Sequence, residues 1–201
     1  MVKIAVDVVL LPSDDMMDVA VAANKRLHRQ CTDKIILDKS DCLPHISLAM
    51  GVIDTGRIEE IGCILGSIAR KFPLGELTAA GIHIQVTSSG RTVCAFQIEK
   101  KRQLVSVHEE VMRELGPFLS YTVTGDMIYP PEAADESTLQ WIRNYPENSS
   151  FKKFFPHITI GFGELNNLSF PIKFTVSRLA LCHLGNHCTC RKILSSAEFG
   201  Y

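Results

Sequence analysis

The sequence predicts an α+β fold: a bilobal, duplicated unit with approximate two-fold symmetry, its antiparallel sheets lining a central cleft and its helices outside. Three observations carry this. Residues 44–51 (Pro44-His45-Ile46-Ser47-Leu48-Ala49-Met50-Gly51) recur in register as residues 156–163 (Pro156-His157-Ile158-Thr159-Ile160-Gly161-Phe162-Gly163). Each copy is followed by a pair of strand-like runs that read as a hairpin. Helical periodicities lie between the pairs instead of alternating with single strands, the pattern of an α+β chain.

Taken in order, residues 3–11 are apolar, rich in valine and stopped by Pro12, as a buried strand should be. Ser13, Asp14 and Asp15 start a helix, since carboxylates favour a helix N-terminus. Met16, Val19, Ala20, Ala23 and Leu27 continue it at helical spacing to near Gln30. Ile35-Ile36-Leu37 predicts a short strand, and 46–50 the first motif strand. From Thr55, apolar residues at 58, 61, 65, 68 and 72 predict a second helix, closed by Pro73. Strands over 77–87 and 92–99 flank Ser88-Ser89-Gly90 as a hairpin. A third helix spans 101–115, ended by Gly116-Pro117. Tyr129-Pro130-Pro131 marks a loop, and residues 136–145 a short helix with the sole tryptophan, Trp141. The second motif strand covers 157–162; two long strands, about 172–184 and 189–199, turn at Gly185-Asn186. The matched order divides one bilobal domain, 1–201, into a first-motif lobe of roughly 35–100 and a second-motif lobe of roughly 120–201. The strand at 3–11 and the helices near 14–30 and 101–115 complete the lobes.

With 46% hydrophobic and 21% charged residues, the composition is that of a globular protein. A net charge of −1 excludes an electrostatic coat for long duplex nucleic acid but leaves short RNA ends and small nucleotides as partners. No run nears the ~18 apolar residues of a membrane span, and Asp7 interrupts the first apolar run, so no targeting segment is expected. Cysteines 31, 42, 63, 94, 182, 188 and 190 are scattered without a Cys-x-x-Cys, which predicts free thiols in a reducing cytoplasm.

On a strand, residues two apart face the same way. Each motif therefore presents an imidazole and a hydroxyl about 7 Å apart on one face, while Ile46, Leu48, Ile158 and Ile160 point into apolar packing. Two such strands face to face surround one centre with two imidazoles and two hydroxyls. That suits a phosphodiester: one neutral imidazole takes a proton, the other, protonated, gives one, and the hydroxyls donate to the phosphoryl oxygens. The scheme calls for no metal or other cofactor.

These residues resemble the 2H phosphoesterase superfamily, whose signature is two His-x-Ser/Thr-x motifs, and within it the 2'-5' RNA ligase and cyclic nucleotide phosphodiesterase branch. The resemblance implies a pseudo-symmetric fold with the active site between lobes. It also implies hydrolysis or reversible transesterification of 2',3'-cyclic phosphate or 2',5'-linked RNA ends. His45 and His157 become the acid–base pair, and Ser47 and Thr159 hold phosphate oxygens.

Other residues are candidates for substrate contact. Lys153, beside Phe154-Phe155, offers charge and a ring before the second motif; Tyr129 offers a ring; Arg91 and Arg191 lie in corresponding hairpins. Each also reads as ordinary surface or packing. His28, His83 and His108 have no matched partner in the other half. His183, His187, Cys188 and Cys190 are zinc-type ligands but lack the usual spacing, so a metallohydrolase is the weaker reading beside a non-catalytic RNA-end binding module. The protein is expected to be a monomer.

Overall fold

The structure is a computed structural model that describes residues 2–28, 35–87, 90–130 and 134–199. The expected helix end near Gln30, Cys31, the turn residues Ser88-Ser89 and Pro131 lie outside the described residues.

Among the described residues, eight strands form two four-stranded antiparallel sheets. The first sheet has the order β2-β1-β7-β8, from β1 (Lys3–Pro12), β2 (Ile46–Asp54), β7 (Val176–Gly185) and β8 (Thr189–Glu198). The second has the order β5-β4-β3-β6, from β3 (Leu77–Val86), β4 (Thr92–Ile98), β5 (His157–Phe162) and β6 (Ile172–Phe174). Each motif strand is thus an edge strand, and the two edges, β2 and β5, meet. Helix α1 (Asp14–His28) packs on β5, and α3 (Arg102–Leu115) packs on β2. Helix α2 (Ile58–Lys71) covers β7 and β8 and touches α3. Short helices α4 (Glu136–Arg143) and α5 (Tyr145–Asn148) fill the passage to the second motif.

Antiparallel sheets, helices and two lobes agree with the expected fold class; strand membership does not follow chain order. The hairpin after the first motif, β3–β4, pairs with the second motif strand, and the hairpin after the second motif, β7–β8, joins β1 beside the first. The contiguous division at 35–100 and 120–201 therefore does not separate the sheets. A hairpin turn fixes the pairing of its own strands but not which third strand they join. The long strand expected over 172–184 is likewise two strands. β6 pairs with β3 in the second sheet and β7 with β1 in the first, with Thr175 between them accepting from the Ser13 N–H. Residues 35–37 are irregular, not a strand.

One buried core runs through both lobes and contains Ile46, Leu48, Ile158 and Ile160, all 0% exposed, as the alternation required. A smaller buried cluster joins Val9, Leu11, Met17, Leu43, Cys182 and Cys190. Cys182 and Cys190 are joined as a disulfide across the β7–β8 hairpin, which corrects the expectation that every cysteine is a free thiol. Cys190 pairs with Leu184, two residues along β7 from Cys182, so the two side chains share one face.

Candidate active site

His45 stands immediately before β2 and His157 opens β5. Each is pinned the same way. The His45 Nδ1–H donates to Leu43 O at 2.7 Å, and the His157 Nδ1–H donates to Phe155 O at 2.8 Å. A carbonyl can only accept, so each neutral ring carries its hydrogen on Nδ1 and keeps the Nε2 lone pair for chemistry. Burial pushes the His45 pKa down to about 4, and the charge of His157 adds to the depression, so the two imidazoles sense one another. Burial, with a contribution from His83, also lowers the pKa of His157. The structure thus brings both predicted histidines to the meeting edges of the two sheets.

The motifs match in backbone detail that their sequences do not announce. In the β1–β2 ladder the register passes from Val8↔Ala49 to Val9↔Ser47, skipping Leu48. In the β4–β5 ladder it passes from Cys94↔Gly161 to Ala95↔Thr159, skipping Ile160. Both strands therefore bulge at the same motif position, one residue after the hydroxyl. A bulge re-aims the side chains around it, and here it sets Met50 and Phe162 on the face of their respective hydroxyls.

Each bulge carbonyl is capped by a buried polar side chain. Asn24 on α1 donates through Nδ2 to Ile160 O at 2.7 Å and Ile35 O at 2.7 Å, and its Oδ1 accepts from the Leu37 N–H at 3.0 Å. His108 on α3 donates through Nδ1 to Leu48 O at 2.7 Å, and its Nε2 accepts from the Phe151 N–H at 2.8 Å. The His108 ring lies flat on Phe154, 3.9 Å between centroids. His108 thus has a matched partner after all, an asparagine, which no search for paired histidines could find.

The hydroxyls are less alike. Thr159 is half-buried on the face of His157. Ser47 Oγ is hydrogen-bonded to Asp7 Oδ2 at 2.6 Å, and the same oxygen lies 3.6 Å from His45 Nε2. Asp7 is fully buried, and burial holds its carboxyl well above the usual carboxylate range. Sequence reading took Asp7 only as a break in an apolar run; that break, a lone acid inside a core strand, was the signal.

The other candidates are scattered. Arg91 pairs with Asp135 at 3.1 Å and lies over the Phe162 ring, 5.3 Å from its centroid, so it reaches the far end of β5. His187 converges there too, 3.5 Å from Asp135 and edge-on to Phe162. Lys153 is exposed on the turn Phe151–Lys153 that precedes the second motif. The Arg191 stem lies over Gly185. Tyr129 packs edge-on to His183, which is in register with Val6, whereas Asp7 is on the alternate face. His183 bonds the Met127 carbonyl and Cys190 the Cys182 sulfur, so the zinc-type residues do not converge. Among the described residues, no group of three or more His, Cys, Asp or Glu is placed to hold a metal ion. Beside His157, Phe155 is 40% exposed with its ring 5.8 Å from that imidazole and 4.7 Å from His83.

Solved structures share this architecture. TT0787 of Thermus thermophilus superposes with a TM-score of 0.58 at 13% identity, covering 98% of each chain. A second structure, of a phosphoesterase, superposes with a TM-score of 0.52 at 12% identity over 100% of both chains. The fold is shared with a phosphoesterase. Identity this low carries the fold alone. No family model matches the chain, and no curated protein does either.

Proposed function

We propose that this protein is a phosphoesterase of the two-histidine type, opening 2',3'-cyclic phosphates or cleaving 2',5'-linked RNA ends without a metal. One observation carries the reading: two matched Nδ1 anchors leave two Nε2 atoms at the meeting edges of the sheets. The shared fold of a phosphoesterase supports it.

His45, neutral at pH 7 because burial disfavours its charge, takes a proton from the attacking water through Nε2. The water oxygen bonds to phosphorus as the ribose oxygen leaves, and His157 Nε2–H protonates that oxygen. The anionic phosphate favours the protonated His157 on binding. Ser47 and Thr159 donate to the non-bridging oxygens as charge builds on them. A ribose hydroxyl in place of water turns the same steps into 2'-5' ligation. The rest of the substrate, a short RNA end or a small cyclic nucleotide, is left to Arg91, Arg191 and Lys153, whereas Tyr129 packs on the sheet face opposite Asp7. Among the described residues, no helix is long and apolar enough to cross a membrane.

The test is turnover of 2',3'-cyclic AMP and a 2',5'-linked dinucleotide by purified protein in excess EDTA. His45→Ala and His157→Ala should each lose about 10²–10⁴-fold while remaining folded. Activity that EDTA abolishes overturns the metal-free scheme. Tight binding with no turnover makes the protein a binding module.

A further inference from the structure

Asp7 is 0% exposed, and among the described residues its Oδ1 is the one buried side-chain polar atom with no hydrogen-bond partner. Its other oxygen, Oδ2, lies 2.6 Å from Ser47 Oγ. An ionised carboxylate with one buried oxygen left without a hydrogen-bond partner is costly, whereas a neutral acid leaves only a carbonyl oxygen unpaired. A proton on Oδ1 would have no acceptor; a proton on Oδ2 has Ser47. The position matched to Asp7 in the second half is Val93, since Asp7 pairs with Met50 as Val93 pairs with Phe162. The carboxyl therefore belongs to the first motif only.

We propose that Asp7 is a positioning residue: a neutral acid whose Oδ2–H donates to Ser47 Oγ and so turns the serine hydrogen out toward the substrate phosphoryl oxygen. An ionised Asp7 would draw that hydrogen to itself, leaving Ser47 to meet an anionic phosphate with lone pairs. The titratable groups around the carboxyl agree with a neutral acid. His45 faces it from the start of β2, and Tyr145 of α5 and Cys188 of the β7–β8 turn lie within its electrostatic reach. Burial raises both the Tyr145 and the Cys188 pKa, so both stay neutral at pH 7 and neither offers the positive charge that would hold Asp7 ionised. This proposal rests on the phosphoesterase reading for its consequence but not for its proton.

Two measurements separate the two ideas. In full-length protein with ¹³C-labelled aspartate carboxyls, one resonance should stay at the protonated position from pH 5 to pH 7.5, and it should vanish in Asp7→Asn. An ionised Asp7 at pH 7 overturns the proposal whether or not the protein is an enzyme. With 2',3'-cyclic AMP, Asp7→Ala should lower kcat on the order of 10²-fold, as loss of a phosphoryl-oxygen donor does. Asp7→Asn, whose amide supplies the same hydrogen, should recover most of it. In a Ser47→Ala background Asp7→Ala should cost nothing more. Asn no better than Ala, or multiplicative losses in the double variant, would show that Asp7 does not act through Ser47. A wild-type protein inert toward 2',3'-cyclic AMP counts against the enzyme, while the carboxyl resonance still decides the proton.

Discussion

Asn24 and His108 perform one task in the two halves of the molecule: each donates at 2.7 Å to the carbonyl of a motif bulge, Ile160 and Leu48 respectively. Each also holds the approach to the opposite motif. Asn24 binds Ile35 and Leu37 ahead of His45, and His108 binds Phe151 ahead of His157. The two histidine strands are therefore tied to each other through helices α1 and α3 as well as through sheet edges.

Removing either tie should cost stability before it costs chemistry. Asn24→Ala leaves Ile160 O, Ile35 O and the Leu37 N–H without their partner; His108→Ala leaves Leu48 O and the Phe151 N–H. A buried group so orphaned costs about 1–3 kcal/mol, so both variants should lower the urea midpoint clearly, with Asn24→Ala the worse. A midpoint within experimental error of wild type would show that neither bond is made in solution.

Stability should fall on mild acidification. Burial pushes His45 and His108 down to about 4, against ~6.5 for an unfolded histidine. Between these values the unfolded chain binds more protons than the folded one, so stability rises with pH across the window. It is complete above pH 6.5 and is lost as pH drops toward 4. His108 has a further reason to resist a proton, because its Nε2 must accept from Phe151. Urea midpoints at pH 7.5 and 4.5 measure the loss, and His108→Gln should shrink it. Equal midpoints at the two values contradict the buried neutral histidines.

Activity should be highest on the acid side of neutrality. The base, His45, stays deprotonated down to about pH 4, and the pKa of the acid, His157, is lowered from its usual value. The kcat/KM profile should then rise near pH 4, peak below pH 6.5 and decline through neutrality. An acid limb at pH 6.5 or above would mean that His45 is solvated during catalysis.

Gly161 should not tolerate a side chain although Ala49, its match in the first motif, has one. Its φ is +147°, and a Cβ there would stand 3.1 Å from Asn24 Nδ2. Gly161→Ala should cost about 1–3 kcal/mol through backbone strain and the displaced Asn24 bond. Thermal denaturation of Gly161→Ala beside Ala49→Gly reads the asymmetry; similar small losses in both would show that the two bulges share one backbone shape.

Much of this was written in local pattern. The helices at 14–28, 58–71 and 102–115 follow apolar spacing, and β5 spans the expected 157–162 because alternation and Pro156 mark it. Residues 35–37 misled because Ile35-Ile36-Leu37 has strand composition, while its backbone groups are satisfied by the Asn24 side chain instead of a ladder. The break at Thr175 was hidden because a chain that leaves one sheet for another stays extended and keeps its alternation. His108 and Asp7 were passed over because a buried polar residue declares itself only once its surroundings are known.

The repeat of Pro-His-Ile-Ser/Thr by itself determined which two imidazoles and two hydroxyls to consider, since side-chain direction on a strand is a local property of alternating backbone. Which hairpin serves which motif, the two bulges, their caps on Asn24 and His108, and the carboxyl beside Ser47 were decided only in three dimensions. All of these join groups far apart along the chain, and nothing in the local backbone preferences of either partner specifies the other.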